Sequence, residues 1–410
     1  MQYQIRLDKR ELQGIISLPA SKSISNRLLI LNALSEGAGT LENLSESDDT
    51  RVLQEGLKSE EGTIDIGHAG TSMRFLAAYL SISPGEYILT GSSRMQQRPI
   101  GKLVDALTGL GASISYLVTT GYPPLSIKGH PLDGGEIRVD SSISSQYISA
   151  LMMIGPVLNN GLTIHLENLV VSASYIHLTK NLMKEMGIPV KYTGTTIEVP
   201  FQKYKGKDMR VEGDWSAASY WYALAALAEK ADLEIRGLQK NSYQGDSVLP
   251  ELFHPLGVET TYTKVGIRLR KIRRSITNFE YNFGDSPDLV QTMAVLCSLL
   301  DIPFRMTGTT TLKIKETDRI NALQTEIRKL GILIETDPNG AWISWDGKKS
   351  PNIPGDIQIK TYQDHRMAMA FAPAAVIFPG LVIEDPGVVN KSYPGFWKDL
   401  EMVGFDIQPC

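Results

Sequence analysis

The sequence predicts an α/β protein of two similar domains, each built from three repeated units with buried helices. Two observations carry this. Six helical stretches are apolar on nearly every face, and amphipathic stretches stop at a glycine at a near-constant interval. A chain of 410 residues also exceeds what one core normally organises, so two domains is the natural division.

The six apolar stretches read RLLILNAL from Arg27, RFLAAYL from Arg74, YISALMMIG from Tyr147, AASYWYALAALA from Ala217, LVQTMAVLCSLL from Leu289 and RMAMAFAPAAV from Arg366. A helix without a polar face belongs in an interior. The stops are Gly111, Gly187, Gly257, Gly331 and Gly404, each preceded by a large apolar residue and followed by a strand-like run. Their spacing, roughly 70 to 76 residues, exceeds a solenoid period. Glycine just past a helix takes the left-handed conformation that turns the chain into the next strand. Six units then hold one buried helix, one amphipathic helix and several strands each, three units to a domain.

Composition narrows the function. The chain is 42% apolar and 21% charged, as in globular proteins, and its net charge of −4 argues against a general nucleic-acid binder. Any basic site must be local. Cys297 and Cys410 are too few for a disulfide scaffold or a cysteine-rich metal site. The start, MQYQIRLDKR, has no apolar signal core, so the cytoplasm is the expected location. The apolar run from Met367 to Ile383 is broken by Pro373 and Pro379 and fits a helix followed by a strand better than a membrane span. There is no G-x-x-x-x-G-K-[ST] motif for a nucleotide phosphate.

The starts of the apolar helices share a polar pattern: SKSISNR (Ser21 to Arg27), GHAGTSMR (Gly67 to Arg74), SSISSQ (Ser141 to Gln146), EGDWS (Glu212 to Ser216), GDSPD (Gly284 to Asp288) and YQDHR (Tyr362 to Arg366). Hydroxyls and aspartates suit N-caps, and Pro287 suits the first position after a Ser286 cap. Capping does not account for Lys22, Arg27, Arg74 and Arg366, because cations in a first turn oppose the helix dipole. Free N–H groups with added cations make an anion site, and four such placements point to a polyanionic ligand.

The stretch KETDR, Lys315 to Arg319, begins an amphipathic helix with Ile320, Leu323, Ile327 and Leu330 on its stripe and Gly331 at its end. Lys315 and Arg319 share a face if the helix extends back that far. On these residues alone two readings stand: local ion pairs with Glu316 and Asp318, or a clamp on an anion.

Taken together, LPASKSISNR, GHAGTSMR, RMQQRPIGKLVDAL, SSISSQ, VSASY, VEGDWSAASY, QGD, Pro287–Asp288, KETDR and DHRMAMA resemble the 5-enolpyruvylshikimate-3-phosphate synthase family of enolpyruvyl transferases. They follow the family's order from near residue 18 to near residue 395. The resemblance implies two domains of three βαβαββ units, an inside-out α/β barrel arrangement. It places crossovers near Ala20 and Glu212–Asp214, so that residues 21–213 form one domain and residues 1–20 with 214–410 the other, with the active-site cleft between them. The implied reaction joins phosphoenolpyruvate to the 5-hydroxyl of shikimate 3-phosphate and releases phosphate. It implies no metal or organic cofactor, no nucleic-acid or membrane partner, and a monomer.

Residue by residue, the resemblance gives Lys22, Gly70, Arg98, Gln146, Arg319, Arg366 and Lys391 to phosphoenolpyruvate. It gives Lys22, Ser23, Arg27, Ser144, Ser145, Gln146, Ser172, Tyr175, Asp288, Thr311 and Lys315 to shikimate 3-phosphate. Asp288 is implied as the base for the hydroxyl, Glu316 as the group that moves the C3 proton, and Lys22 as a donor to the departing phosphate. Asp214, Glu212 and Asp318 read as hinge or capping residues, and His177 and His254 as surface residues. His365 either orients its helix start or touches substrate.

Three positions depart from the family's usual pattern: His68 in place of Asn, Thr311 near a usual Asn, and Ser174 in place of Pro. The small loop at Ala69 and Gly70 is kept, which implies sensitivity to glyphosate. The nearest rival is the UDP-N-acetylglucosamine enolpyruvyl transferase, which usually carries a reactive Cys in a mobile loop; neither Cys here lies in such a loop. A non-catalytic binder of phosphorylated metabolites is the rival of another class. Asp288 and Glu316 argue against it, since anion binding gains nothing from added carboxylates.

Overall fold

The structure, a computed structural model, describes residues 1–140, 144–168, 171–349 and 357–410. The chain divides into two compact units: Ser21–Val211, and Met1–Ala20 together with Glu212–Cys410. Twelve helices are described. The first unit holds α1 (Lys22–Ala33), α2 (Asp48–Leu57), α3 (Gly70–Ile82), α4 (Gly101–Gly109), α5 (Ser145–Ile154) and α6 (Ala173–Glu185). The second holds α7 (Trp215–Leu227), α8 (Leu249–Phe253), α9 (Val290–Leu299), α10 (Arg319–Arg328), α11 (His365–Phe371) and α12 (Phe396–Met402).

The odd-numbered helices are the apolar stretches of the sequence. Every residue of α9 and α11 is buried, as is every residue of α7 except Ser216. Within the first unit α1, α3 and α5 pack on one another; within the second, α9 packs on both α7 and α11. Enclosing one large apolar side chain contributes roughly 1.5–3 kcal/mol, which is why side chains such as Trp221, Met293 and Phe371 fix these helices inside.

Of the five four-stranded sheets among the described residues, four share one order: a first strand runs parallel to a second, which pairs with the later arm of an antiparallel hairpin. In the fifth, Gln358–Ile359 runs parallel to Leu381–Glu384, which pairs with the N-terminal strand Gln2–Arg6, and that strand pairs with Asp406–Pro409. In the sheet of Glu11–Ser17, Lys230–Arg236, Gly266–Lys271 and Val258–Tyr262, residues alternate between faces. Leu12, Ile16, Leu233, Ile235, Ile267 and Leu269 point to the core, while Glu11, Arg268 and Arg270 face solvent. With one odd and one even helix, each sheet completes a βαβαββ unit.

The sixth unit departs from the expected plan. Its strands are two short parallel pairs, Ser35–Glu36 with Tyr204–Lys205 and Leu41–Glu42 with Met209–Arg210. The chain passes from α2 to the strand Gly62–Asp65 across four residues, Lys58 to Glu61, too few for a hairpin. The five glycine stops all take the left-handed conformation, with φ of 98° at Gly111, 85° at Gly187, 96° at Gly257, 80° at Gly331 and 102° at Gly404. Helix α2 ends instead on Lys58 in a right-handed conformation, so the glycine signal counts five units rather than six.

Candidate active site

In the Ser21–Val211 unit the starts of the odd helices are stitched together by side chains. Ser21 caps α1, and Lys22, its first residue, places Nζ 3.1 Å from Asp49 Oδ2 in the first turn of α2. Ser72 of α3 donates to the Asp49 carbonyl at 2.7 Å. Gln146 of α5 donates to Thr71 of α3 at 3.2 Å, and Ser144 accepts from the Gln146 amide as the α5 cap. Ser145 is buried in the same turn. The preceding residues of the serine run, 141–143, lie outside the described residues.

Helix α3 starts after Ala69 with no side-chain cap, and the Arg98 guanidinium occupies the space against Gly70. A Cβ on Gly70 would stand 2.5 Å from Arg98 Nη1, so only glycine admits the cation this close to the helix start. Arg98 is buried, and its Nε has no hydrogen-bond partner among the described residues. Arg74 turns inward instead: it donates to the Gly70 carbonyl at 3.1 Å and to the Pro99 carbonyl at 2.9 Å. Tyr147 also donates to Pro99, at 2.6 Å, which fixes the turn after Arg98. Arg74 is therefore a brace for this site, although its place in a first turn counted it among the anion-facing cations.

Arg27 is buried below these starts. It donates to Thr179 Oγ1 at 2.7 Å, to the Ser23 carbonyl at 2.9 Å and to Ser149 Oγ at 3.2 Å, and lies against the Phe75 and Tyr175 rings. Burial pulls its pKa down to about 10. Ser172 holds a left-handed conformation at the head of α6 and makes no capping bond with its side chain. His68 Nδ1 meets Ser92 Oγ at 2.9 Å.

In the other unit one guanidinium organises three carboxylates. Arg319, the first residue of α10, donates from Nε to Asp364 at 2.7 Å, from Nη1 to Asp288 at 3.1 Å and from Nη2 to Glu316 at 2.9 Å. Burial alone would lower its pKa, but Asp364, Glu316 and Asp288 outweigh this and raise it. Arg366 of α11 donates to Asp288 at 2.8 Å, and Lys391 Nζ stands 3.0 Å from Glu316. Asp288 and Glu316 thus each meet two cations. Asp364 also caps α11 through the Arg366 amide at 2.9 Å. Thr311 keeps a buried hydroxyl with no hydrogen-bond partner among the described residues.

The α10 helix begins at Arg319, capped by Asp318, and Lys315 lies outside it in an extended conformation. The condition for Lys315 and Arg319 to share a helix face is not met. Asp318 has the capping role the sequence suggested, as does Asp214, which accepts from the Ser216 and Ala217 amides of α7. His177 and His254 are exposed and His365 is buried.

Several supporting residues were not singled out from the sequence: Asp49, Asp364, Tyr220, Thr179, Ser149 and Asp246. Tyr220 of α7 lies 3.4 Å from Arg366, and burial raises its pKa to about 12. Asp246 is buried and accepts from Ser216; burial and the nearby Asp288 charge raise its pKa to about 7. Asp49 follows a serine cap and Asp364 precedes an apolar helix, so each carried the same signal as an ordinary helix-start acid.

Repeated βαβαββ units with cation–carboxylate clusters at buried helix starts define an enzyme-like α/β protein suited to small anionic substrates. Sequence comparison makes the class specific. The profile described as EPSP synthase (3-phosphoshikimate 1-carboxyvinyltransferase) matches residues 8–59 and 54–400. A Bacteroides fragilis 3-phosphoshikimate 1-carboxyvinyltransferase is 53% identical over 399 residues, covering 97% of each chain. One from Photobacterium damsela is 36% identical over 421 residues, covering 96% of this chain and 97% of that one. The solved EPSP synthase of Acinetobacter baumannii shares the fold over the full length of both chains, with a TM-score of 0.77 at 21% identity. The chain belongs to the EPSP synthase family.

Proposed function

We propose that the protein transfers the enolpyruvyl group of phosphoenolpyruvate to the 5-hydroxyl of shikimate 3-phosphate and releases phosphate, a step in the shikimate pathway toward aromatic amino acids. The observation that carries this is the Arg319 cluster: Asp288 and Glu316, two proton-transfer groups, held among Arg319, Arg366 and Lys391. A site for anions that also performs proton chemistry needs both kinds of group.

Asp288 takes the proton of the 5-hydroxyl as its oxygen bonds to C2 of phosphoenolpyruvate, and a proton is delivered to C3. Elimination then removes a proton from C3 as the C2–phosphate oxygen bond breaks. Glu316 moves the C3 proton in both steps, and Lys22 protonates the departing phosphate. Lys22, Gly70, Arg98, Gln146, Arg319, Arg366 and Lys391 hold phosphoenolpyruvate. Ser23, Arg27, Ser144, Ser145, Gln146, Ser172, Tyr175, Thr311 and Lys315 hold shikimate 3-phosphate, with help from Lys22 and Asp288. The arginines suit this because their forked donors meet carboxylate or phosphate in two places. The scheme calls for no metal or organic cofactor. We place the enzyme in the cytoplasm as a monomer; no described helix is long and apolar enough to cross a membrane.

Phosphate release from the purified protein with phosphoenolpyruvate and shikimate 3-phosphate tests the proposal. Release only with UDP-N-acetylglucosamine as acceptor would overturn it. Glyphosate at millimolar concentration is expected to inhibit when phosphoenolpyruvate is held near its KM.

A further inference from the structure

Arg27 is held differently from Lys22 of its own unit, which pairs with Asp49, and from the cations of the other unit. Arg319, Arg366 and Lys391 are each ion-paired with carboxylates. Arg27 is as deeply buried, yet it forms no ion pair among the described residues. Its partners are neutral: the hydroxyls of Thr179 on α6 and Ser149 on α5, one carbonyl of its own helix, and the faces of Phe75 and Tyr175 at 5.3 and 5.6 Å.

Thr179 Oγ1 is the centre of this cage. It accepts from Arg27 Nε, and it lies 2.8 Å from Ser149 Oγ and 2.8 Å from the Tyr175 carbonyl oxygen. Ser149 and Thr179 are fully buried. A guanidinium carries five N–H donors, and these contacts use three, which leaves one on each Nη. Anchoring Nε and one proton of each Nη fixes the guanidinium plane and so aims the remaining pair. Hydroxyl anchors orient a cation without cancelling its charge, whereas a carboxylate in the same place would do both.

We propose that Thr179, with Ser149, is a positioning residue that holds the Arg27 guanidinium in the orientation needed to bind shikimate 3-phosphate while leaving its positive charge uncompensated for that ligand. This rests on the proposed function, and specifically on Arg27 serving shikimate 3-phosphate rather than phosphoenolpyruvate.

Thr179→Val keeps the shape of the side chain and removes the acceptor. The expected result is a rise of about tenfold in both the KM and the calorimetric Kd for shikimate 3-phosphate, the size of one charge-assisted hydrogen bond. The KM for phosphoenolpyruvate and kcat should stay near wild type, and Thr179→Ser should restore shikimate 3-phosphate affinity. Unchanged affinity in Thr179→Val, an equal loss toward both substrates, or failure of Thr179→Ser to restore binding would overturn the assignment. A wild-type protein that binds shikimate 3-phosphate without turnover would overturn the catalytic reading, while the Kd series would still decide the role of Thr179. A wild-type protein that does not bind it would overturn both.

Discussion

At Arg319 one guanidinium meets three carboxylates, and its planar fork is what allows this. Arg319→Lys keeps the charge and loses the fork. With at least one charge-assisted bond to Asp364, Asp288 or Glu316 lost, kcat/KM is expected to fall on the order of a hundredfold, measured by phosphate release. Glu316→Gln keeps the shape and removes the proton-transfer group. Its kcat should fall by about two to four orders of magnitude while shikimate 3-phosphate still binds by calorimetry. A near-wild-type rate would remove Glu316 from the mechanism. At this scale the sequence was partly legible. The cations and carboxylates stood in recognisable segments, and the local Glu316–Arg319 ion pair was one of the two readings of KETDR, but the long-range pairings were not readable. Arg319 and Asp364 are 45 positions apart, and Arg27 and Thr179 are 152 apart. Helical spacing rules relate residues three or four apart, so they gave Lys315 as the partner on Arg319's face, and the actual helix start excludes it.

Among the elements, the glycine stops were the most legible feature because their requirement is local. A left-handed residue ends the helix, and glycine adopts that conformation without a Cβ clash. Gly331→Ala should cost about 1–2 kcal/mol and lower the melting temperature by a few degrees. Gly109, the last residue of α4, provides a control. It lies inside a helix with open space where a Cβ would go, so Gly109→Ala should stabilise by about 0.5–1 kcal/mol. Thermal melts of the two variants should move in opposite directions. The sixth unit was the illegible one: its paired strands are two residues long, too short for any alternation to register.

For the molecule as a whole, the buried Asp246 predicts how stability depends on pH. Its pKa of about 7 in the folded protein lies well above the roughly 3.9 of an unfolded aspartate. Between these values the native state holds a proton that the unfolded chain has released, so stability falls as pH rises from about 4 to 7. The loss is bounded near about 4 kcal/mol. Asp246→Asn removes the titration, and its denaturant midpoint should fall less than that of wild type between pH 5 and pH 7.5. The repeat count and the division in two were readable from apolar helices and length. That one unit is inserted within the other was not readable from periodicity, because it depends on Glu11–Ser17 pairing with Lys230–Arg236. Within that pair, Glu11 and Lys230 are 219 positions apart.

This pairing imposes an order on synthesis. Residues 2–17 emerge from the ribosome long before their partners in Lys230–Arg236, Leu381–Glu384 and Asp406–Pro409. The Ser21–Val211 unit is contiguous and can complete its own contacts as soon as residue 211 is clear. The middle of the chain therefore folds first, while the earliest strands wait with their edges open. During that interval their unpaired N–H and C=O groups are open to pairing with another chain.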